Sequence, residues 1–511
     1  MARRAARCVA IAASLTLPAA TARSQAHSHP SERHDRTATV GTVHFATTCA
    51  PAVAPMMDRA VALLHSFEFG SSIRAFSDVL ASDSTCAMAQ WGIALSRWTN
   101  PMAAGNRPVA LLQQGRLAAD AATRLGSNAS ERERGYIGAV SRLYDDFEHV
   151  DQRARVASYE TAMRELTARE PSDTEAMIFH ALSLVAAASP TDKSYSNQLE
   201  AGRILEALWA KQPQHPGLAH YIIHSYDYPE LAPRARAAAR RYAVIAPSAA
   251  HALHMPSHTF TRLGMWRESV AANARSTDVA LRDGAIAEVL HAADYAVYAS
   301  LQIGREADAK VWLDRLPALA ARFDPKSIRG AAPASAAYFA LAAIPARWVL
   351  ERDAWREAAA LVPRATDYPY TEAMTYFARA IGAARTGDVV SASTAVDSLA
   401  SIERGLKDIG ESYWSEQVVI QRLTAQAWLA LARAQPTDAL VLMREAATRE
   451  DATEKNAVTP GPLAPAHELL GDMLTSLGRR EEAVAEYRAT LRKEPNRRHA
   501  LMRLRAQRRS K

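Results

Sequence analysis

The sequence predicts an all-α protein built from a long stack of helical hairpins. Its apolar residues are mainly alanine and leucine, glycine accounts for only 21 of 511 residues, and aromatic residues make up 7%. This composition favours helix along nearly the whole chain and disfavours a β-architecture. A chain of this length exceeds what one compact core requires, so we expect either several domains or a repeat array.

The N-terminus predicts a secretory signal peptide over residues 1–26. Three arginines within the first seven residues precede a short apolar run at 8–17, and small residues follow it as far as Ala22 and Ala26. The run is too short to span a bilayer, and no later segment has about 18 uninterrupted apolar residues. We therefore expect a secreted or periplasmic protein without a transmembrane segment.

The charge distribution argues against a nucleic-acid partner. Removal of the signal peptide takes away four arginines and no acidic residue, so the formal net charge falls from +7 to +3. Much of the remaining excess lies near the C-terminus, where a basic tail at 501–511 has no aromatic residue. Nucleic-acid recognition favours a basic face that carries aromatic side chains, so we interpret the tail as a solvated terminal helix.

Two cysteines remain after removal of the signal peptide, and they predict a disulfide. Cys49 and Cys86 flank the first helical pair. Disulfides persist in secreted proteins, so a bond between these two residues is expected. The alternative is a pair of buried free thiols.

The last helical pair, at 465–495, sets the register of the repeat. Gly471 permits close approach of its two helices, Gly478 ends the first helix, and Pro495 stops the pair. This pattern resembles the tetratricopeptide repeat. The resemblance implies a right-handed α-solenoid of about eleven helical pairs over residues 49–500.

Two polar segments lie outside this pattern. Residues 27–48 carry serines and histidines and are expected to form a flexible lead-in to the solenoid. Residues 450–462 form a polar break before the final repeat. Neither segment requires a separate second domain.

The histidines are concentrated in one part of the chain and follow the period of the repeat. Eight of the sixteen lie between His180 and His291. His220 and His224 are one helical turn apart, and His254 and His258 repeat that spacing 34 residues later, which is the length of a tetratricopeptide repeat. Each pair places two imidazoles on one helix face.

The family resemblance also predicts which way these faces point. In tetratricopeptide repeats, the second, fifth and ninth positions of each first helix face the concave groove, and Gly264 and Gly304 are taken as equivalent helix ends. On this register the groove receives seven candidate metal ligands: His220, His224, His251, His254, His258, His291 and Asp294. Four further side chains are expected to border the site or to orient its ligands: His180, Asp227, Tyr295 and Tyr298.

This set of side chains favours a transition metal. Imidazole nitrogens bind zinc, copper, iron or nickel, and a carboxylate can complete an open site. Six histidines exceed the needs of one open ion, which indicates either two ions or imidazoles that hold a substrate. Pro256 leaves two local geometries open, because the helix either bends there or begins there.

Two functions are compatible with the sequence. One is a secreted metal-dependent protein, with catalysis left open, that uses the groove histidines. The other is a scaffold without metal whose groove binds a peptide, a protein or a small molecule, as tetratricopeptide arrays commonly do. The chain also resembles long secreted bacterial tetratricopeptide proteins with His-Pro-Gly-x-x-His-Tyr and His-x-Leu-His-Met-Pro-Ser-His segments, here residues 215–221 and 251–258. This resemblance implies no particular activity.

Overall fold

The computed structural model describes residues 39–103, 105–189 and 191–509 of the chain. These residues belong to one compact unit that begins at Thr39. The predicted signal peptide and the first part of the predicted lead-in, residues 27–38, lie outside the described residues and stay predictions.

All regular secondary structure in the described part of the chain is helical, which confirms the all-α prediction. The first eight α-helices are α1 (Ala54–His65), α2 (Phe69–Ser82), α3 (Ala87–Trp98), α4 (Val109–Leu125), α5 (Glu131–Arg142), α6 (Gln152–Arg169), α7 (Thr174–Ala187) and α8 (Ser196–Trp209). The next eight are α9 (Pro216–Ser225), α10 (Ala232–Ile245), α11 (Ala250–His254), α12 (Pro256–Arg262), α13 (Trp266–Arg282), α14 (Ile286–Gln302), α15 (Glu306–Arg322) and α16 (Ala334–Leu350). The last eight are α17 (Trp355–Ala359), α18 (Pro369–Arg385), α19 (Val389–Asp408), α20 (Ser412–Ala432), α21 (Pro436–Ala452), α22 (Ala466–Ser476), α23 (Arg480–Lys493) and α24 (Arg498–Arg509).

The helices form a solenoid of hairpins. Consecutive helices pack on each other, and the first helix of one hairpin packs on the first helix of the next, as α14 does on α16 and α18 does on α20. In the last hairpin, a Cβ atom added to Gly471 would lie 2.6 Å from the Tyr487 ring, so glycine is needed for the close approach that its position predicts. Within the described ranges, none of the helices is both long and apolar enough to cross a bilayer.

The segment 39–48 is packed against the solenoid, which differs from the flexible lead-in expected there. Val40, Val43 and Phe45 are 5% exposed or less. The Phe45 ring also stacks on Trp91, with 5.2 Å between centroids. These apolar side chains, spaced along an otherwise polar stretch, bury enough surface to hold the segment in place.

The predicted disulfide is present. Cys49 and Cys86 are bonded, with 4.9 Å between their Cα atoms. The bond joins the segment before α1 to the residue before α3, so it closes the first hairpin.

A non-helical segment between α21 and α22, residues 453–463, runs along the first helices of several hairpins and is called the strap. The Tyr195 hydroxyl donates to the Glu454 carboxylate over 2.8 Å, and Lys455 Nζ donates to Asp227 Oδ2 over 3.0 Å. Further along, Arg347 donates to the Gly461 and Pro462 carbonyl oxygens. The strap therefore connects hairpins that are distant from one another in the sequence.

The end of the solenoid also returns to its middle. Trp266 Nε1 donates to the Asn496 carbonyl oxygen over 3.0 Å, and Asn496 Nδ2 donates to the Gly264 carbonyl oxygen over 3.2 Å. The buried Arg497 guanidinium pairs with Glu351 and with Glu468, each over 2.8 Å. The last hairpin therefore supports α12–α14 through contacts that ordinary neighbour-to-neighbour stacking does not supply.

One histidine of the last hairpin makes the stability of the fold depend on pH. His467 Nδ1 lies 2.5 Å from Glu486 and its Nε2 lies 3.0 Å from Asp451. Burial lowers the pKa of His467, but the hydrogen bonds to Glu486 and Asp451 outweigh burial and raise the pKa to about 9. An unfolded histidine has a pKa of about 6.5, so this contribution is fully present below about 6.5 and is lost as pH rises through about 9.

We expect the free energy of unfolding to fall between about pH 6.5 and 9, and the fall to be smaller in His467→Gln. Urea unfolding at a series of pH values measures the free energy of unfolding of both proteins. His44→Gln is the matched control, because the His44 side chain is 86% exposed. A His467→Gln profile parallel to that of the native protein would contradict this role.

Candidate metal centre

Six of the predicted histidines form two adjacent clusters in the interior. The first triad is His220, His224 and His251, and the second triad is His254, His258 and His291. In each triad the candidate ligand atoms lie within 4.8 Å of one another. All six side chains are 6% exposed or less. The histidines thus lie beneath the strap rather than along an open groove.

The helices bring these side chains together in the way the sequence spacing predicts. His220 and His224 are on α9, while the 34-residue repeat places His254 and His258 on α11 and α12. Between the last two, Met255 keeps helical angles of φ −53° and ψ −35°. A second helix therefore begins at Pro256 after only one intervening residue of helical conformation, and His254 and His258 keep their one-turn spacing.

The second triad has the clearest hydrogen-bond geometry. His254 Nδ1 lies 2.6 Å from Asn273 Oδ1, and the Asn273 amide nitrogen donates to the Ser269 carbonyl oxygen, so the amide oxygen faces the imidazole. His258 Nδ1 lies 2.9 Å from Asp227 Oδ2. Because both partners are acceptors, each Nδ1 carries the proton and each Nε2 carries a lone pair.

Those two lone pairs face each other. His254 Nε2 and His258 Nε2 are 3.0 Å apart, and neither neutral imidazole has a hydrogen to place between them. Two nitrogens bound to one tetrahedral zinc ion at about 2.05 Å would be roughly 3.3 Å apart. The pair is therefore arranged as two ligands of one cation.

The first triad is held in a similar way. His220 Nδ1 donates to the His65 carbonyl oxygen over 2.7 Å, which leaves its Nε2 lone pair 3.1 Å from His224 Nε2. His251 Nδ1 lies 3.2 Å from Glu288 Oε1, and its Nε2 is buried without a hydrogen-bond partner. The Phe67 ring covers the triad, 4.4 Å from the His220 ring centroid.

Burial favours the neutral form of five of these imidazoles, those of His220, His224, His254, His258 and His291. It lowers the pKa of His220, His224 and His254 well below the usual value, and neighbouring imidazoles add to the effect. Burial also lowers the pKa of His258 and of His291 to about 3. Neutral imidazole is the form that binds a metal ion, so the ligands need not lose protons first.

One carboxylate lies behind each triad. Glu288 contacts His251 in the first triad and accepts two backbone N–H bonds with its other oxygen. Asp227 accepts from His258 in the second triad and also from Arg262 and Lys455, each over 3.0 Å. Burial raises the pKa of Asp227, but the Lys455 and Arg262 charges outweigh burial and hold it well below its usual range. Such carboxylates orient a ligating imidazole and increase its basicity.

The structure does not bring Asp294 to the histidines, and this corrects the prediction that it is a ligand. Its Oδ1 accepts from Arg347 Nε over 2.8 Å, and both side chains are buried. The ion pair compensates the cost of burying the carboxylate and occupies its oxygens. Arg347 comes from α16, a pairing that sequence spacing does not reveal.

The remaining predicted residues divide into two groups. Tyr295 borders the second triad, with its ring 4.8 Å from His254 and its hydroxyl donating to the strap carbonyls of Ala457 and Thr459. Tyr298 instead donates to Glu494 over 3.0 Å, and His180 lies 3.3 Å from Glu160. Tyr295 and Asp227 therefore belong to the site, whereas the described contacts of Tyr298 and His180 are elsewhere.

Two cavities adjoin the triads. A small one of about 10 Å³ is lined by two imidazoles of each triad: His224, His251, His258 and His291. A larger chamber of about 210 Å³ is lined by His224, Asp227 and Lys455 on its polar side and by Met102 and Val185 among its apolar residues. Both cavities are lined by His224, so the chamber borders the first triad.

A third cluster, formed by His65, Glu175 and His215, contrasts with the triads. The two imidazole Nε2 atoms lie 2.9 and 2.8 Å from the two oxygens of Glu175. The Tyr221 hydroxyl lies 3.0 Å from His65 Nδ1, where it can donate to a lone pair. Since each contact pairs a donor with an acceptor, this cluster is a structural network, and its His65 carbonyl orients His220.

Sequence reasoning missed three residues that hold the ligands. Glu288 precedes His291 by one helical turn, a spacing that signals a shared helix face. Asn273 is on the helix that pairs with α11 and α12, and Lys455 is in the strap. Neither of these two has a local sequence signal that connects it with the histidines.

No family model matches the sequence, and no curated protein matches it. Among solved structures, the human IFIT1 dimer with m7Gppp-AAAA is 10% identical, with 83% of this chain and 90% of that chain covered and a TM-score of 0.36. The APC/C hetero-tetramer Cut9–Hcn1 is 13% identical, with coverages of 83% and 76% and a TM-score of 0.35. Yeast Tom70 is 10% identical, with coverages of 90% and 95% and a TM-score of 0.32. Similarity of this size carries no argument about function, and the α-solenoid architecture of this chain rests on its own helices and their packing.

Proposed function

We propose that the protein is a secreted, histidine-ligated transition-metal protein that binds one ion in each triad. The observation that carries this proposal is the contact between His254 Nε2 and His258 Nε2, where two lone pairs lie 3.0 Å apart. A proton could bridge them only by creating an imidazolium in a site whose burial disfavours that charge. A metal ion satisfies both nitrogens without such a charged side chain.

The donor set favours copper. The converging groups in both triads are imidazoles, with the carboxylates of Asp227 and Glu288 held behind them on Nδ1. Copper binds nitrogen ligands more tightly than the other divalent metals of the first row, and imidazole suits it well. Zinc is the alternative that the same geometry admits.

Three protein ligands per ion leave a coordination position for a small molecule. Such a metal can activate water or dioxygen, and the chamber beside His224 offers a small substrate space next to the first triad. We therefore propose an enzymatic function on a small substrate. A secreted location is supported by the predicted signal peptide and by the disulfide, a bond that persists in oxidising compartments.

A peptide-binding scaffold without metal is the alternative. The strap favours the metal proposal, because Lys455, Thr459 and Gly461 occupy the concave face where a peptide would otherwise lie. Any peptide would have to displace buried hydrogen bonds of the strap.

Elemental analysis tests the proposal. Untagged protein is equilibrated with copper or zinc, freed of unbound metal and compared with His220→Ala, His258→Ala and the exposed control His44→Ala. We expect about two ions per chain in the native protein and the control, and about one in each triad variant. Less than about a tenth of an ion per chain in the native protein would overturn the proposal, because an open site should fill.

A further inference from the structure

We infer that the two triads form one coupled copper pair whose ions share a single bridging oxygen ligand, a hydroxide derived from water. This inference rests on the proposed function, since it requires an ion in each triad. The inference adds two points to the proposed function. The two ions act as one centre, and the ligand between them is a small oxygen donor or anion.

The spacing of the rings supports one centre rather than two. Between triads, the His224 and His258 ring centroids are 6.1 Å apart, and those of His251 and His254 are 6.0 Å apart. Within a triad, the centroid separations run from 4.5 Å, between His254 and His291, to 6.4 Å, between His224 and His251. The separations between triads thus fall within the range found inside a triad, and two-metal sites typically hold their ions about 3.5–4 Å apart.

The space between the triads fits one oxygen atom. The cavity lined by His224, His251, His258 and His291 measures about 10 Å³. A water molecule needs about 10–15 Å³ by this measure. A peptide or an organic substrate would have to stay in the chamber, whereas a single water-sized ligand can sit between the imidazoles.

The charge of the surroundings favours an anion in that space. Among the described residues, two carboxylates, Asp227 and Glu288, and two cations, Arg262 and Lys455, are the charged groups that contact these histidines or their carboxylates. Their charges cancel, so two divalent ions would bring four uncompensated positive charges into a buried site. Water bound between two such ions loses one proton to solvent, and the hydroxide that remains lowers the excess charge.

Electron paramagnetic resonance of the copper(II)-loaded protein tests the coupling. A bridging hydroxide pairs the unpaired electrons of the two ions, so we expect about two copper ions per chain but a signal of less than about a tenth of that copper. Acid denaturation should release the ions and restore the full signal, which shows that they were cupric. His220→Ala, with one ion left in the second triad, should show the full signal of one copper without denaturation.

The outcomes separate the two proposals. Two copper ions per chain with the full signal in the folded protein would mean isolated ions, which overturns the bridge and leaves the metal function standing. A weak signal that acid does not restore would also overturn it, because the copper would then be cuprous. Failure to bind copper or zinc at all would overturn the proposed function itself. Azide, a small anion that competes for the bridge, should change the absorption spectrum of the native protein more than that of His220→Ala.

Discussion

Replacing Gly264 by alanine is expected to destabilise the protein severely, by more than about 3 kcal/mol. Gly264 has φ of +63°, and a Cβ atom there would lie 2.2 Å from the Pro495 carbonyl oxygen. Positive φ alone costs an L-residue about 1–2 kcal/mol. The collision adds to this cost, because the Pro495 backbone is held in place by the hydrogen bonds between Asn496 and the Trp266 region.

Gly478→Ala is a matched control for this prediction. Gly478 also follows the first helix of a hairpin and has φ of +73°, but a Cβ atom there would meet nothing within 4 Å. Gly478→Ala should therefore lose only the stability that the strain of positive φ costs. Thermal melting gives the melting temperature of each variant. The difference between the two measures the effect of disturbing the contact between the end of the solenoid and its middle. Equal melting temperatures would show that this contact contributes no stability.

Binding of metal is expected to produce the second large effect, a rise in melting temperature. Ions that bind only the folded protein stabilise it by about 4 kcal/mol per site when the free ion is at a thousand times its dissociation constant. Each triad also joins different helices, since His251 of α11 meets α9 and His291 of α14 meets α11 and α12. Bound ions therefore hold neighbouring hairpins together.

Melting curves with copper or zinc and with a chelator measure this effect. The native protein and His44→Ala should lose most of the added stability when the chelator is present. His258→Ala should show about half of the gain, because the first triad remains. A gain in His258→Ala equal to that of the native protein would show that the second triad is not the site of binding.

The sequence was sufficient to predict the solenoid and the clustering of six histidines, for a physical reason. Helical hairpins are local structures, and a spacing of one turn repeated after 34 residues is preserved whenever the hairpins stack regularly. His220 and His254 could therefore be placed together before their contacts were known. The same regularity explains the position of Gly471 against Tyr487.

The parts of the site that sequence reasoning did not predict depend on contacts outside the repeat pattern. Asp294 shares a helix with His291, yet its carboxylate pairs with Arg347 of α16 instead of facing the histidines. Lys455 and the rest of the strap reach the site from a distant part of the chain. Neither an individual ion pair nor the path of a returning segment has a periodic signal, so neither the Asp294–Arg347 pair nor the burial of the histidines was predicted.

The strap also has a consequence for the cooperativity of unfolding. In a simple repeat array each hairpin contacts only its neighbours, so distant hairpins can unfold separately. Lys455 and Asp227 are 228 residues apart in the sequence, and the Tyr295 hydroxyl and the Ala457 carbonyl oxygen are 162 apart, so the contacts within each pair join hairpins that stacking alone leaves independent. We therefore expect the middle of the solenoid and the region around the strap to unfold together.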